Sequence, residues 1–227
     1  MSSVADRILH EDNHTIVVNK EASEIVQGDK TGDQPLLEKI RIYIKEKYNK
    51  PGNVFCGLVH RLDRPTSGAL VFAKTSKGLS RLNEQFRDKN TQKIYWAIVE
   101  KQPSQKEGTL MDYLKKNEKQ NKSYVCDASA KGAKQATLTY KWLRSSERYH
   151  LLEIELKTGR HHQIRCQLAN IGCVIKGDLK YGAKRSNKDA SICLHARVLT
   201  YRHPTTQEEI KIQAPLPKES LWQFFEN

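Results

Sequence analysis

One carboxylate stands among several basic side chains in residues 60–68, which read HRLDRPTSG. Asp63 lies between Arg61 and Arg64, and an apolar run typical of a buried strand follows at residues 69–73. Nearby positive charge favours the charged form of a carboxyl group, so we expect Asp63 to be ionised. Such an aspartate can act as a nucleophile, a general base or a metal ligand, and it can also be a salt-bridge partner on a turn.

A second concentration of polar groups lies in residues 158–165, which read TGRHHQIR, between an apolar strand and a predicted helix. Gly159 can turn the chain tightly, and Arg160 and Arg165 can each bind a carboxylate or a phosphate through two hydrogen bonds. A helix start that carries solvated charges is the alternative. The density of donors beside a strand end favours a functional site.

Two familiar kinds of site are disfavoured by spacing. Residues 68–75 nearly match the phosphate loop GxxxxGK[ST], but Ala73 replaces the second glycine, and the intervening apolar run predicts a strand.

His161 and His162 lie near two cysteines and are possible zinc ligands. We expect adjacent histidines on a helix to point apart, and the short, repeated spacings of structural zinc sites are missing, so no metal is predicted.

The elements that must position these residues follow from hydrophobic periodicity and turn signals. Paired strands with few βαβ alternations predict an α+β fold, with a largely antiparallel mixed sheet flanked by helices and loops. No linker or repeat interrupts residues 1–227, so we expect a single domain. The predicted helices cover residues 35–48, 76–89, 161–171 and about 221–225, and the predicted strands cover residues 15–20, 69–74, 93–100, 136–144, 149–157, 192–201 and 208–213.

The overall charge points to a polyanionic partner. The chain has 39 lysines and arginines against 26 acidic residues, a net charge of +13. RNA or DNA is the commonest partner of such a protein, and a basic protein without a nucleic-acid role is the alternative. Lysines concentrate in residues 115–134, which predict a long exposed loop or hairpin. This segment is either simply solvated or a phosphate-gripping arm.

Composition also restricts the compartment. The five cysteines are scattered without a CxxC pair, which favours reduced thiols and a cytoplasmic location over a disulfide framework. No apolar run approaches the roughly 20 residues that a membrane span needs, and the first residues do not resemble a signal peptide. We therefore predict no membrane partner.

Together these segments resemble the RluA family of RNA pseudouridine synthases. Residues 60–68 match the family's catalytic-aspartate motif, and residues 93–97 (KIYWA) match its tyrosine motif. Residues 158–165 match its arginine motif, which residues 172–182 continue, and residues 194–196 match a further short segment. The resemblance covers a core of about residues 12–215, and motifs found together in the family's order are highly specific.

The chain departs from the family pattern at two places. Residues 20–23 read KEAS where the family often has KPxG, and residues 165–167 read RCQ where it often has RxH. Neither departure touches the motif aspartate, tyrosine or arginine, so they bear on substrate detail. We also expect no S4-type RNA-binding domain, since few residues precede the first strand.

The resemblance implies an enzyme that cuts the glycosidic bond of a uridine, rotates the uracil and rejoins it through C5. It implies three catalytic residues. Asp63 attacks the ribose or abstracts a ribose proton, and Arg165 forms an ion pair with Asp63. Tyr95 stacks on the uracil and takes the C5 proton. A phenol has a pKa of about 10, so the environment of Tyr95 must assist this step.

The resemblance further implies ribosomal or transfer RNA as the partner and no cofactor. We expect the protein to be a monomer. The uridine must leave the RNA stack to reach the site. Arg61 would fill the vacated space, and His60 would support the turn. The residues implied to contact RNA or substrate are His60, Arg61, Arg64, Thr66, Arg160, His162 and Gln163.

Two other classes of function fit parts of this pattern. A non-catalytic RNA-binding protein on the same fold is the main alternative, although the presence of Asp63, Tyr95 and Arg165 argues against it. A glycosidase-like hydrolase would ordinarily need a second carboxylate. None of the motifs supplies one.

Overall fold

A computed structural model describes residues 3–28 and 32–226. The chain forms two compact units, and each is described by itself. Unit 1 comprises Met1–Lys93 with Ala196–Glu219, and unit 2 comprises Ile94–His195 with Ser220–Asn227. That the whole chain acts as one catalytic domain stays a prediction.

The secondary structure is α+β, as predicted. The helices are α1 (Leu36–Lys47), α2 (Ser76–Arg87), α3 (Gln163–Asn170) and α4 (Ser220–Glu226). The strands are β1 (Ile8–Glu11), β2 (Thr15–Lys20), β3 (Gly57–Leu58), β4 (Ser67–Ala73), β5 (Gln92–Val99), β6 (Glu107–Asn117), β7 (Lys122–Cys126), β8 (Lys134–Ser145), β9 (His150–Leu156), β10 (Leu194–Arg202) and β11 (Glu209–Gln213). All the predicted helices and strands are confirmed to within a few residues. No helix in the described part of the chain is long and apolar enough to cross a membrane.

The sheet of unit 1 is built around two apolar strands. Strand β2 pairs with β4 in antiparallel register from Thr15 opposite Ala73 to Lys20 opposite Gly68. The strand order is β1-β2-β4-β10-β11, and β3 also pairs with β4. Every residue of β4 is buried, because both faces of the strand are covered, and this explains its continuous apolar run. One core cluster contains Val17, Ala69, Val71, Ala73, Leu82, Leu199, Tyr201 and Ala214.

Gly68 connects the Asp63 motif to β4 in a conformation that only glycine adopts readily. Its φ is +119°, and a Cβ atom would lie 2.4 Å from the carbonyl oxygen and 2.5 Å from the nitrogen of Ala196. Without a side chain, the backbone of β4 can approach β10 closely at this residue. Packing against Ala196 therefore requires a glycine at position 68.

Unit 2 contains an antiparallel sheet in the order β5-β9-β8-β6-β7. Strands β8 and β9 pair in antiparallel register up to Ser145 opposite His150 and so form a β-hairpin. Residues 115–134, here called the basic arm, span the end of β6, all of β7 and the loop before β8. Their hairpin form confirms one of the two predicted shapes. The early part of β6 was missed because its polar, largely exposed sequence is held by backbone pairing with β8 rather than by an apolar face.

Candidate active site

Asp63 begins a tight turn in unit 1. The Thr66 N–H donates a hydrogen bond to the Asp63 carbonyl oxygen at 3.0 Å, which closes a four-residue turn. Leu62 and Thr66 are buried, whereas Asp63 is half-buried and Arg64 is exposed. The buried neighbours anchor the turn, and the carboxylate-bearing residue keeps access to its surroundings.

Lys20 stabilises this turn through hydrogen bonds, although it is not among the site residues predicted from the sequence. Its side chain is fully buried, and its Nζ donates to the carbonyl oxygens of Glu21, Arg64 and Thr66 at 2.9, 3.0 and 2.7 Å. An ammonium has three N–H donors, so three carbonyls match its capacity. The Ser23 N–H adds a further hydrogen bond to the Arg64 carbonyl at 2.9 Å.

The pKa of Lys20 also depends on the aspartate motif. Burial lowers the pKa of Lys20 to about 7, while the carboxylates of Glu24 and Asp63 act in the opposite direction. The sequence did carry a signal for this residue. Lys20 ends an otherwise largely apolar, buried strand and lies opposite Gly68, where a long polar side chain needs buried partners.

His60 packs inside unit 1. Its ring stacks on Phe86 at 4.6 Å between centroids, and its Nε2 accepts a hydrogen bond from the Val71 N–H at 3.3 Å. Burial, with a smaller effect of Lys93, lowers the pKa of His60 to about 3. The ring is therefore neutral at neutral pH. These contacts support the interpretation that His60 braces the turn, and its contact with RNA stays a prediction.

The arginines of the aspartate motif are both exposed. Arg64 forms an ion pair with Asp33 through Nη2. Such an exposed ion pair contributes little to stability, so Arg64 can exchange Asp33 for another anion at small cost. The exposure of Arg61 is compatible with its predicted insertion into RNA.

Tyr95 lies in β5 of unit 2 and is 7% exposed. It stands opposite Ile154 of β9, on the same strand face as Ala97. On the other face, the Trp96 indole N–H donates to Glu153 at 3.3 Å. Strand pairing on the β9 side therefore fixes the backbone that carries the tyrosine.

The start of α3 differs from the prediction. His162 has a left-handed backbone with φ +52°, so the helix begins at Gln163 rather than at residue 161. Gly159, expected to provide the tight turn, is not among the residues of positive φ. The prediction that His161 and His162 point apart is wrong. Their rings stack at 3.8 Å, because both residues precede the helix and His162 reverses the local direction of the chain.

Arg165 is buried within unit 2 and firmly oriented. Its Nε and Nη2 donate to the two carboxylate oxygens of Asp178 at 2.7 and 2.8 Å. Its Nη1 donates to His162 Nε2 at 3.1 Å, and the guanidinium lies 5.2 Å from the centre of the Tyr181 ring. The sequence placed Asp178 and Tyr181 in the extended motif but gave neither a role. The presence of Asp178 in the motif that continues from Arg165 was the sequence signal that could have predicted this ion pair.

Gln163 and Arg160 shape the loop before α3. The Gln163 Oε1 accepts hydrogen bonds from the Thr158 hydroxyl at 2.8 Å and the Arg160 N–H at 3.0 Å, and its Nε2 donates to the Thr137 carbonyl. The exposed Arg160 donates through Nε to the Gln135 carbonyl at 2.8 Å. These contacts build the loop. Substrate or RNA contact by either residue stays a prediction.

Metal-ligating side chains are dispersed across the described residues. No group of three or more histidine, cysteine, aspartate or glutamate side chains in that part of the chain could hold a metal ion.

The predicted catalytic residues are divided between the two units. Asp63 belongs to unit 1, and Tyr95 and Arg165 belong to unit 2. Within unit 2 the structure brings together His162 and Arg165. The predicted ion pair between Asp63 and Arg165 stays a prediction.

Comparison with known proteins decides the family. The family model described as RNA pseudouridylate synthase matches residues 14–170, a range that includes Asp63, Tyr95 and Arg165. The chain belongs to the RNA pseudouridylate synthase family. It is therefore an RNA pseudouridine synthase, an isomerase whose substrate is RNA, as the motifs predicted.

Curated relatives of this pseudouridine synthase match nearly its full length. The uncharacterized RNA pseudouridine synthase YhcT of Bacillus subtilis (strain 168) is 35% identical over 219 residues, which cover 93% of this chain and 69% of the relative. Ribosomal large subunit pseudouridine synthase C of Escherichia coli (strain K12) is 33% identical over 227 residues, covering 95% of this chain and 68% of the relative.

Solved structures confirm the fold of this synthase. Human RNA Pseudouridylate Synthase Domain Containing 4 superposes with a TM-score of 0.79 at 25% identity, covering 95% of this chain and 90% of that chain. Human RNA Pseudouridylate Synthase Domain Containing 1 gives a TM-score of 0.73 at 22% identity, covering 97% of this chain and 93% of that chain, and shares the fold.

Proposed function

We propose that this synthase converts specific uridines of ribosomal or transfer RNA to pseudouridine, with Asp63 as the catalytic carboxylate. The construction of the Asp63 turn carries the proposal. A half-buried carboxylate lies in a turn, and two carbonyls of that turn accept hydrogen bonds from the buried Lys20. The relative named ribosomal large subunit pseudouridine synthase C supports ribosomal RNA as the substrate class.

In the proposed reaction, the bond between ribose C1′ and uracil N1 breaks, and a bond between C1′ and C5 forms after the base rotates. Asp63 starts the reaction by attacking the ribose or by taking a ribose proton, and either role needs the ionised carboxylate. If Asp63 has attacked the ribose, its bond to the ribose breaks as C1′ joins C5. The C5 proton leaves at the end and N1, no longer bonded to the ribose, takes up a proton, so the isomerisation consumes no oxidant or reductant.

Two residues of unit 2 complete the proposed chemistry. Tyr95 stacks on the flipped uracil and removes the C5 proton. The guanidinium of Arg165 pairs with the Asp63 carboxylate and keeps it ionised. The orientation of Arg165 by Asp178 and His162 supports this role, because a guanidinium held in place loses little freedom when it binds a carboxylate.

RNA binding is assigned to exposed basic side chains. Arg61 enters the space left by the flipped uridine, since a guanidinium plane can stack between bases. The basic arm carries exposed lysines beside the exposed ring of Tyr124, a combination that suits phosphates and unstacked bases. We also infer a cytoplasmic monomer, consistent with five free thiols, and light scattering of the purified chain tests the oligomeric state.

The catalytic assignment is tested with Asp63→Asn, which removes the charge and keeps the shape. We expect this variant to fold and bind RNA like the wild type and to lose pseudouridine formation in a tritium-release assay, by at least about 1,000-fold. Asp88→Asn, an exposed aspartate after α2, is the matched control and should keep full activity. Turnover of Asp63→Asn near the wild-type rate would refute the assignment.

A further inference from the structure

A chain of hydrogen bonds in unit 2 fixes the protonation of His162. A guanidinium only donates, so the 3.1 Å contact between Arg165 Nη1 and His162 Nε2 requires a lone pair on Nε2. The neutral ring therefore carries its proton on Nδ1. That nitrogen lies 3.1 Å from the Tyr181 hydroxyl and donates to it.

The Tyr181 hydroxyl is in turn held by the basic arm. It accepts a hydrogen bond from the Ser123 N–H at 2.9 Å and donates its own proton to the Ser123 carbonyl oxygen at 3.1 Å. With the bond from His162, the phenol oxygen makes one donated and two accepted bonds. Its single proton is thus committed to the carbonyl, and the direction of every bond from Ser123 to Arg165 is determined.

The backbone of His162 adds a second observation. A left-handed conformation is unfavourable for a residue with a side chain, and Gly or Asn would adopt it more easily. Such strain persists only where the surroundings over-determine it, and it concentrates at functional sites. Here the side chain that the strained backbone carries contacts the motif arginine, and it is buried.

We propose that His162 and Tyr181 are positioning residues for Arg165. His162, as the Nδ1–H tautomer, aims the guanidinium, and Tyr181 holds that tautomer by tying the ring to Ser123 of the basic arm. The proposal rests on the proposed function, because it assumes that the orientation of Arg165 matters for turnover. It assigns His162 a role inside the protein rather than the RNA contact predicted from the motif.

Two variants separate positioning from RNA contact. His162→Asn suits the left-handed backbone and can still donate to Tyr181, but its side chain is too short to reach Arg165. Tyr181→Phe keeps the ring beside the guanidinium and removes the hydroxyl. We expect each variant to lower kcat by about 10- to 100-fold with KM within about threefold of the wild type, as displaced catalytic groups do.

A double-mutant cycle sharpens this test. If the two residues act in series, the double variant should have a kcat no lower than that of His162→Asn alone. Tyr43→Phe, which removes a tyrosine hydroxyl bonded to Glu11 in unit 1, is the matched control and should leave kcat unchanged. Thermal unfolding of every variant shows whether a lower kcat reflects a loss of fold.

Nitrogen NMR of the wild-type protein tests the tautomer without any variant. We expect His162 Nδ1 to be protonated and Nε2 unprotonated, and we expect Tyr181→Phe to disturb this pattern. A protonated Nε2 would overturn the proposal, as would raised KM with unchanged kcat, or kcat within about twofold of the wild type in both variants. If Asp63→Asn retains turnover while the tautomer is as stated, the proposed function fails and the hydrogen-bond chain stands.

Discussion

At the scale of single residues, polar side chains of unit 1 stabilise the Asp63 turn through hydrogen bonds and packing. Lys20 donates to three backbone carbonyls, and two of them, those of Arg64 and Thr66, belong to the turn. His60 ties the start of the motif to β4 and to Phe86 of α2. Polar groups removed from water are costly unless they are bonded, so each one demands a particular geometry of its neighbours.

His60 should make stability depend on pH. Its ordinary pKa is about 6.5, and burial lowers it to about 3 in the folded state. Between these values the unfolded chain binds a proton that the folded chain excludes, so the free energy of unfolding falls as pH falls through this window. Between about pH 7 and about pH 5, the free energy of unfolding should fall by about 1 to 2 kcal/mol more in the wild type than in His60→Gln.

Urea unfolding of both proteins at several pH values measures this difference. In His60→Gln the amide oxygen of the new side chain can still accept from the Val71 N–H, so the comparison isolates titration. Above about pH 7 the gap between the two proteins should be constant, which is the internal control. Parallel curves down to about pH 5 would mean that His60 titrates normally in the folded protein.

At the scale of elements, the basic arm is an ordered hairpin rather than a loose loop. Strand β7 pairs with β6, and Ser123 in β7 contacts both Tyr181 and His161. Lys122 lies 4.9 Å from the centre of the Tyr181 ring. The arm is therefore anchored to the segment that carries Arg165, while most of its lysines face solvent.

Neutralising the arm should weaken RNA binding in a salt-dependent way. Removing one lysine that binds a phosphate flattens the slope of log K against log salt by about 0.7 to 0.9, because fewer counterions are released. We expect a slope flatter by at least about 1 in filter binding for a variant with four lysines changed to glutamine. The four changes are Lys115→Gln, Lys119→Gln, Lys131→Gln and Lys134→Gln.

The control neutralises the same number of exposed lysines in unit 1. Its four changes are Lys45→Gln, Lys77→Gln, Lys211→Gln and Lys218→Gln. Equal flattening in both variants would mean that only the total charge matters. An unchanged slope in the arm variant would show that the arm is a solvated hairpin.

At the scale of the whole molecule, the net charge of +13 and the family membership lead to the same partner. The charge supplies affinity for RNA without sequence preference, and the choice of uridine must come from shape and base contacts. The class of RNA substrate is therefore better identified by an experiment in cells than from the charge of the protein.

Pseudouridine mapping across total RNA tests that class. In cells lacking this protein, we expect one or a few pseudouridines to disappear from ribosomal or transfer RNA and to return with the wild-type gene but not with Asp63→Asn. Loss confined to another class of RNA would contradict the proposed substrate. Return of the modification with Asp63→Asn would contradict the proposed mechanism.

Periodicity and motifs predicted most of the fold. Strand β2 has the predicted bounds, and α1, β4 and β5 differ from theirs by one or two residues, because their apolar residues follow the period of each element. The early part of β6 and the left-handed His162 were missed for a common reason. Backbone pairing and a strained φ depend on neighbours that are remote in sequence, and local composition carries no trace of them.

The sequence by itself determined the family chemistry. The motifs in the family's order led to the family, and within them Asp63, Tyr95 and Arg165 are the predicted catalytic residues. Only the tertiary structure decided the partners of buried polar groups, since a side chain's capacity to donate is encoded locally but its acceptor is not. Lys20 finds carbonyls more than forty residues away, and Arg165 is oriented by His162 and by Asp178 on a separate segment.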